Sequence, residues 1–341
     1  VIDIAKYTKE LSKLLDSSVN ILLICHINPD GDAVGSQLAL YQYLKAKGKS
    51  VEMISPNYIQ EFLKWMNGAD LINIFTRKRK ESISLIEKAD LIIFIDFNQL
   101  NRLGEAEKLV TDSKAKKVII DHHLDPHNFA DLIISDPSKC STAELVHELV
   151  TEMNGKFFSD RFYSEDIYVG IITDTGNFDY GSYTGNSLRI VGQLLDSGVE
   201  KERILNTVYN NFSADRMRLL GFTLNERMTV LPEYMTAYLY LTRKDLADYN
   251  YVKGDTEGFV NMPLSIKGII FSVLFIEKDN FTKLSFRSSG NFYVNTFASK
   301  YFSGGGHMNA SGGEYYDSLE NTIDYFLRIL KENTLFSKNE T

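Results

Sequence analysis

Eight residues of this chain have the types and spacing that metal-assisted hydrolysis requires. "LLICHINPDGDAVGSQ" (22–37) is an apolar run that halts at His26, followed within six residues by Asp30 and Asp32, with Pro29 and Gly31 between them. Asp96 follows "LIIFI", "DHH" (121–123) supplies Asp121, His122 and His123 directly after "KVII", and Asp174 sits in "GIITDTGNF". Mixed imidazole and carboxylate donors suit manganese, or a divalent ion of similar softness, better than calcium, and leave zinc open. So many donors point to two ions, because an ion that keeps positions open for substrate seldom takes more than about four side chains. Two ions about 3.5–4 Å apart can share a bridging carboxylate and a water whose pKa they lower, and that machinery hydrolyses phosphate esters and anhydrides.

Singly, most of these residues have a folding explanation. An aspartate after a strand is usually a helix cap or a turn residue. Two adjacent imidazoles at a buried strand end are harder to explain, since each needs a polar partner. The joint pattern is what favours a site.

The elements that must position them follow from hydrophobic spacing. "NILLICH" (20–26), "SVEMI" (50–54), "ADLIIFID" (89–96), "AKKVIID" (115–121) and "ADLIIS" (130–135) are short and rich in Ile, Leu and Val, as strands buried on both faces are. Helical patterns lie between them, notably 33–47 ending at Gly48 and 141–153 ending before Gly155. The expected architecture is α/β, a doubly wound and mainly parallel sheet, with the polar residues at strand ends, where open α/β sheets bind ligands. Residues 164–198 read as mainly helical with Thr184 as a cap, and 205–224 as a helical connector. After it come alternating strand patterns at 235–242, 268–279 and 281–289, the last two joined across a "DN" turn. A helix at 295–301, then "SGGGHMNASGG", then a final helix at 319–333 complete a smaller α+β domain. The expected division is 1–198 catalytic, 199–226 connector and 227–341 substrate-binding.

At 341 residues and 44% hydrophobic content the chain is long enough for two cores. A net charge of −8 gives no global reason to bind long duplex DNA, which selects for excess Lys and Arg. Cys25 and Cys140 are too few for a disulfide scaffold and lack zinc-site spacing, so they read as buried small hydrophobes. No apolar segment approaches the roughly 18 residues of a membrane span. A cytoplasmic, reducing setting without a membrane partner is the expectation.

"HINPDGDA", an aspartate after the next long apolar strand, "DHH" and "TDTGNF" resemble, in order and spacing, the motifs of the DHH phosphoesterases. "SFRSSG" and "GGGH" resemble the DHH-associated domain that follows them. The resemblance spans nearly the whole chain. It implies that His26 and Asp30 hold one cation, that Asp32, His122 and Asp174 hold the other, and that Asp96 bridges them. The pair is implied to be manganese, with magnesium or cobalt as alternatives. His123 is implied to act beside the scissile phosphate, with Asp121 orienting its neighbours. Arg287, Gly304, Gly305, Gly306 and His307 are implied to bind substrate phosphate across an interdomain cleft: glycine lets backbone approach an anion, and arginine offers a fork matched to phosphate oxygens. Arg102 in "NQLNRLG" either reaches the metal site or caps the next helix, Ser141 and Thr142 read as helix caps, and His127 and His147 carry no assigned role.

Within the family the arrangement resembles the oligoribonuclease (nanoRNase) type, which degrades very short RNA and dephosphorylates 3'-phosphoadenosine 5'-phosphate. A short site without an extended basic groove suits about two to five nucleotides. The alternatives are a soluble cyclic-dinucleotide or linear-dinucleotide phosphodiesterase, a pyrophosphatase or exopolyphosphatase, and, in a different class, an inactive nucleotide-binding sensor. A homodimer is expected by analogy alone.

Overall fold

The computed structural model describes residues 2–155, 160–179, 183–306 and 308–332. The chain divides into two compact units, 1–211 and 212–341. That boundary falls inside the stretch expected to be a connector, which is two helices rather than one: α8 (Lys201–Val208) closes the first unit and α9 (Ala214–Glu226) opens the second. Ser213 separates them by capping α9, its side chain accepting from the Arg216 N–H.

The first unit is built on β1 (Asn20–Cys25), β2 (Ser50–Ser55), β3 (Asn73–Ile74), β4 (Leu91–Ile95), β5 (Lys116–Asp121) and β6 (Leu132–Ser135). They form one parallel sheet in the order β3-β2-β1-β4-β5-β6. Alternate residues of each strand feed opposite cores. Ile21, Leu23, Ile93, Val118 and Ile120 pack beneath α1 (Ile4–Ser17), α2 (Gly31–Ala46), α5 (Thr142–Asn154) and α6 (Arg161–Asp174). Leu22, Ile24, Ile92, Phe94 and Ile119 join a second core with Ile86 of α3 (Arg79–Lys88) and Val110 of α4 (Glu107–Asp112). Burial on both faces is why these strands are continuous apolar runs.

The strand order reverses between β1 and β4, so their C-terminal ends flank the crevice where doubly wound sheets hold ligands. α2 starts two residues earlier than its apolar pattern suggests, because Asp30 caps it by accepting from the Ala33 N–H at 3.0 Å. α5 is capped by Ser141 and closed by Gly155 in the left-handed region, and α7 (Gly185–Asp196) begins with a capping box between Thr184 and Ser187.

The second unit holds a six-stranded sheet ordered β11-β12-β10-β9-β8-β7, from β7 (Met228–Leu231), β8 (Thr236–Leu241), β9 (Phe271–Glu277), β10 (Thr282–Ser288), β11 (Gly305–Gly306) and β12 (Ala310–Tyr315). β9 and β10 form the expected hairpin, whereas β8 pairs parallel to β9. α10 (Arg243–Asp248), α11 (Val294–Tyr301) and α12 (Leu319–Glu332) complete it, with Phe297, Phe302 and Phe326 packed against Phe271, Phe275 and Phe286. The stretch after α11, to which the sequence assigns no element, holds strands: β11 and β12 pair there and β12 continues the sheet on β10. Its glycines hide it from a periodicity reading, yet packing demands Gly304, Gly306 and Gly313. A Cβ on Gly313 would lie 2.7 Å from the Phe302 carbonyl oxygen.

Candidate metal centre

The ends of β1, β4 and β5 bring His26, Asp96, Asp121, His122 and His123 together, and α2, α5 and α6 close over them. Close approach of these helices is what brings Asp32 and Asp174 in. α6 packs against α2 and α5 through Gly170, where a Cβ would meet the Ala143 Cβ at 2.5 Å and Asp32 Oδ1 at 3.0 Å. Asp96 itself sits at φ 64°, a left-handed conformation that aspartate tolerates better than most residues and that clusters at functional sites.

Donor atoms of His26, Asp30 and Asp96 lie within 4.8 Å of one another, as do those of Asp32, His122 and Asp174, and those of Asp96, His122 and His123. Asp96 belongs to two of these groups. Its Oδ2 is 3.4 Å from His26 Nε2, and its Oδ1 is 3.8 Å from His122 Nε2 and 3.7 Å from His123 Nδ1. His122 Nε2 is also 3.3 Å from Asp174 Oδ2 and 3.8 Å from Asp32 Oδ2. His26, Asp32, Asp96 and His122 are buried, while Asp30 is exposed and its Oδ1 stands 4.0 Å from His26 Nε2.

The histidine tautomers suit metal binding. His26 Nδ1 lies 2.8 Å from the Ile27 carbonyl and His122 Nδ1 3.2 Å from the Lys139 carbonyl, so each Nδ1 carries the proton and each Nε2 presents a lone pair to the cluster. His26 Nε2 is buried and makes no aligned hydrogen bond among the described residues. A buried imidazole nitrogen that faces a carboxylate at 3.4 Å without an aligned hydrogen bond among the described residues is what a divalent cation would satisfy.

Charge crowding points the same way. Burial pushes the Asp32 carboxyl well above its usual range, and Asp96, Asp174 and Asp30 add to it. Burial likewise pushes Asp174 up to about 7, with His122 opposing and Asp30 and Asp96 adding. Asp96 goes the other way: burial would raise it, but, when no cation takes their Nε2 lone pairs and the rings are protonated, contact with His26 and the fields of His123, His26 and His122 hold it well below the carboxylate range. Carboxylates this close resist joint ionisation unless a cation is among them.

His123 leans on Asp121, whose Oδ1 is 2.6 Å from Nδ1; burial would lower the imidazole, but Asp121 and Asp96 raise it. Its Nε2 is 3.3 Å from Arg102 Nη1, which also reaches the Asp96 carbonyl at 3.5 Å. Arg102 therefore turns into the cluster, which resolves the alternative left open by sequence. His147 lies outside the cluster, buried on α5 with Nδ1 3.1 Å from Tyr163 Oη, and His127 is exposed.

Thr142 corrects the sequence reading. Ser141 alone caps α5, its Oγ accepting from Glu144 N–H at 3.0 Å. The Thr142 hydroxyl instead donates to Asp96 Oδ1 at 2.8 Å, and the Thr142 and Ala143 N–H groups donate to Asp32 Oδ2 and Oδ1 at 2.6 and 2.8 Å. Ser36 Oγ adds a donation to Asp32 Oδ1 at 3.2 Å. The only sequence signal was a Ser-Thr pair before a helix, and one cap needs only one of them.

In the second unit, Ser311 pairs with Gly306 on one side and Phe286 on the other, so Arg287 on β10 is one residue along from the level of Gly306. Arg287 Nη1 donates to the Phe286 carbonyl at 2.9 Å. Asn309 ties down the loop after Arg287, donating from Nδ2 to Ser288 Oγ at 2.9 Å and the Gly290 carbonyl at 3.0 Å. Gly304 and Gly306 are required by packing, since a Cβ would collide with the Gly312 carbonyl oxygen in one and lie 2.6 Å from the Ala310 oxygen in the other. Among the described residues, a Cβ on Gly305 would meet nothing within 4 Å. His307 lies outside the described residues.

A doubly wound sheet that gathers imidazoles and carboxylates at its switch point defines a metal-dependent phosphoesterase class. Residues 20–171 match the DHH family, N-terminal domain, and residues 233–334 match the DHHA1 domain; the chain belongs to the DHH family and is a phosphoric ester hydrolase. It is 27% identical over 297 residues to the bifunctional oligoribonuclease and PAP phosphatase NrnA of Thermus thermophilus, covering 86% of this chain and 83% of that protein. It is also 27% identical over 310 residues to the protein of the same name from Bacillus subtilis, covering 90% and 93%. A crystal structure of an exopolyphosphatase-related protein from Bacteroides fragilis shares 40% identity with a TM-score of 0.92 over 96% of each chain. Among the described residues, no helix is long and apolar enough to cross a membrane.

Proposed function

We propose that this chain hydrolyses short oligoribonucleotides, about two to five nucleotides long, and 3'-phosphoadenosine 5'-phosphate. The observation that carries the reading is the position of Asp96, whose two oxygens face His26 on one side and His122 on the other. In this reading His26 and Asp30 hold one divalent cation, Asp32, His122 and Asp174 the other, and Asp96 is shared, with manganese the favoured metal. When bound, such a pair supplies an activated water and neutralises phosphoryl oxygens.

The remaining steps belong to the chain's own residues. Asp121 takes the His123 Nδ1 proton in a hydrogen bond, fixing the ring so that Nε2 faces the substrate beside the Arg102 guanidinium. Arg102 holds a phosphoryl oxygen, and His123, whose pKa Asp121 and Asp96 raise, gives the Nε2 proton of its imidazolium form to the leaving oxygen and keeps its Nδ1 proton. Residues 1–198 carry this chemistry, 199–226 join, and 227–341 anchor the substrate through Arg287, His307 and the backbone of Gly304, Gly305 and Gly306. Among the described residues nothing packs within 4 Å of a Cβ built on Gly305, which supports that anchoring role. The two relatives named for oligoribonuclease and PAP phosphatase activity support the substrate choice.

The relative titled exopolyphosphatase-related, at 40% identity, favours a second reading: hydrolysis of inorganic polyphosphate at the same centre. One panel decides between them. Initial rates with manganese are compared for a dinucleotide, a pentanucleotide, a long RNA, 3'-phosphoadenosine 5'-phosphate, cyclic di-AMP, pyrophosphate and polyphosphate. Preference for the dinucleotide, the pentanucleotide or 3'-phosphoadenosine 5'-phosphate is expected. Preference for polyphosphate, pyrophosphate or the cyclic compound would overturn the choice.

A further inference from the structure

We propose that Thr142 is a positioning residue that fixes the rotation of the Asp96 carboxylate and thereby the affinity of the centre for its cations; this rests on the two-cation reading above. The terminal torsion of an aspartate is broad, so its rotamer does not decide which oxygen faces which neighbour. A hydrogen bond must do so. The Thr142 hydroxyl donates to Oδ1 at 2.8 Å, which leaves Oδ2 turned toward His26 at 3.4 Å and Oδ1 toward His122 at 3.8 Å.

Thr142 is free for this task because Ser141 caps α5, and it is held to it because its own N–H is bound to Asp32 Oδ2 at 2.6 Å. The hydroxyl and the backbone of one residue thus orient two carboxylates, Asp96 and Asp32, against each other. Ala143 N–H and Ser36 Oγ complete the hold on Asp32. Thr142 is fully buried, so no water competes for its hydroxyl.

The test uses the full chain stripped of metal and titrated with manganese by calorimetry, in the wild type and in Thr142→Val, Thr142→Ser and Asp96→Asn. Valine keeps the shape and loses only the donor. Thr142→Val is expected to bind manganese about 10- to 100-fold more weakly, with its metal-free melting temperature near wild type, and Thr142→Ser is expected to restore the affinity. Wild-type affinity in Thr142→Val, with Asp96→Asn impaired, would overturn this inference and leave the two-cation reading standing. Wild-type affinity in Asp96→Asn would overturn that reading itself. Should Thr142→Val fail to fold, Thr142→Ala against Thr142→Ser decides: equal weakening in both would show that the methyl group matters rather than the hydroxyl, and would sink the proposal.

Discussion

His26 Nε2 and Asp96 Oδ2 stand 3.4 Å apart at the ends of two adjacent parallel strands, both side chains buried and the imidazole nitrogen without an aligned hydrogen bond. Strand pairing places them: Cys25 is in register with Ile95, so the residues after each strand arrive side by side. The shared carboxylate makes Asp96 the residue whose loss should be felt most widely. Asp96→Ala is expected to lower manganese-dependent hydrolysis of bis-p-nitrophenyl phosphate at least about 100-fold, whereas a near wild-type rate would contradict its bridging role.

Gly170 governs how closely α6 approaches the cluster. Gly170→Ala forces a methyl group to 2.5 Å from the Ala143 Cβ and 3.0 Å from Asp32 Oδ1. The expected cost is about 1–3 kcal/mol of stability in urea unfolding, together with weaker manganese binding, because Asp32 cannot stay where it is.

Gly305 behaves oppositely in this picture. Gly305→Ala strikes none of the described residues, so its melting temperature and manganese affinity should match the wild type while KM for a dinucleotide rises. An unchanged KM would remove the second unit's glycine loop from substrate binding. Gly304→Ala, by contrast, drives a Cβ into the Gly312 carbonyl oxygen and should destabilise the fold.

The burial of His147 makes the first unit acid-sensitive. Burial lowers its pKa from 6.5 to about 4, with Glu144 opposing. The unfolded chain therefore binds a proton between these values that the folded chain refuses, and stability falls as pH drops from about 6.5 to about 4. The share due to His147 is about 3 kcal/mol. His147→Gln should flatten the decline in metal-free unfolding curves by that order, and an identical decline in both proteins would contradict it.

What could be read from sequence follows from how each element is buried. β1, β4, β5 and β6 lie between two cores, so apolar runs dominate them and are visible without a structure, while β2 keeps Val51, Met53 and Ile54 buried around an exposed Glu52. The cluster was legible because His26, Asp96 and Asp121 sit at the ends of those runs. β12 was not legible: its "ASGGEY" sequence is dictated by close backbone contacts, which leave no hydrophobic period. Thr142 was misread for a related reason. A helix start explains a hydroxyl locally, and only the fold shows that Ser141 already meets that need while Thr142 reaches Asp96, distant in sequence. Arg102 needed the fold too, since the helix after it is its near neighbour along the chain, whereas the His123 imidazole it reaches is brought to it by the pairing of β4 with β5.

The central claim is that a manganese-dependent centre in this chain cleaves very short RNA. The most direct test incubates the folded chain of residues 1–341 with a dinucleotide in manganese and in chelator, and follows mononucleotide release. Release in manganese that chelator abolishes is the expected result. No release from a folded, manganese-loaded preparation, with polyphosphate consumed instead, would contradict the claim.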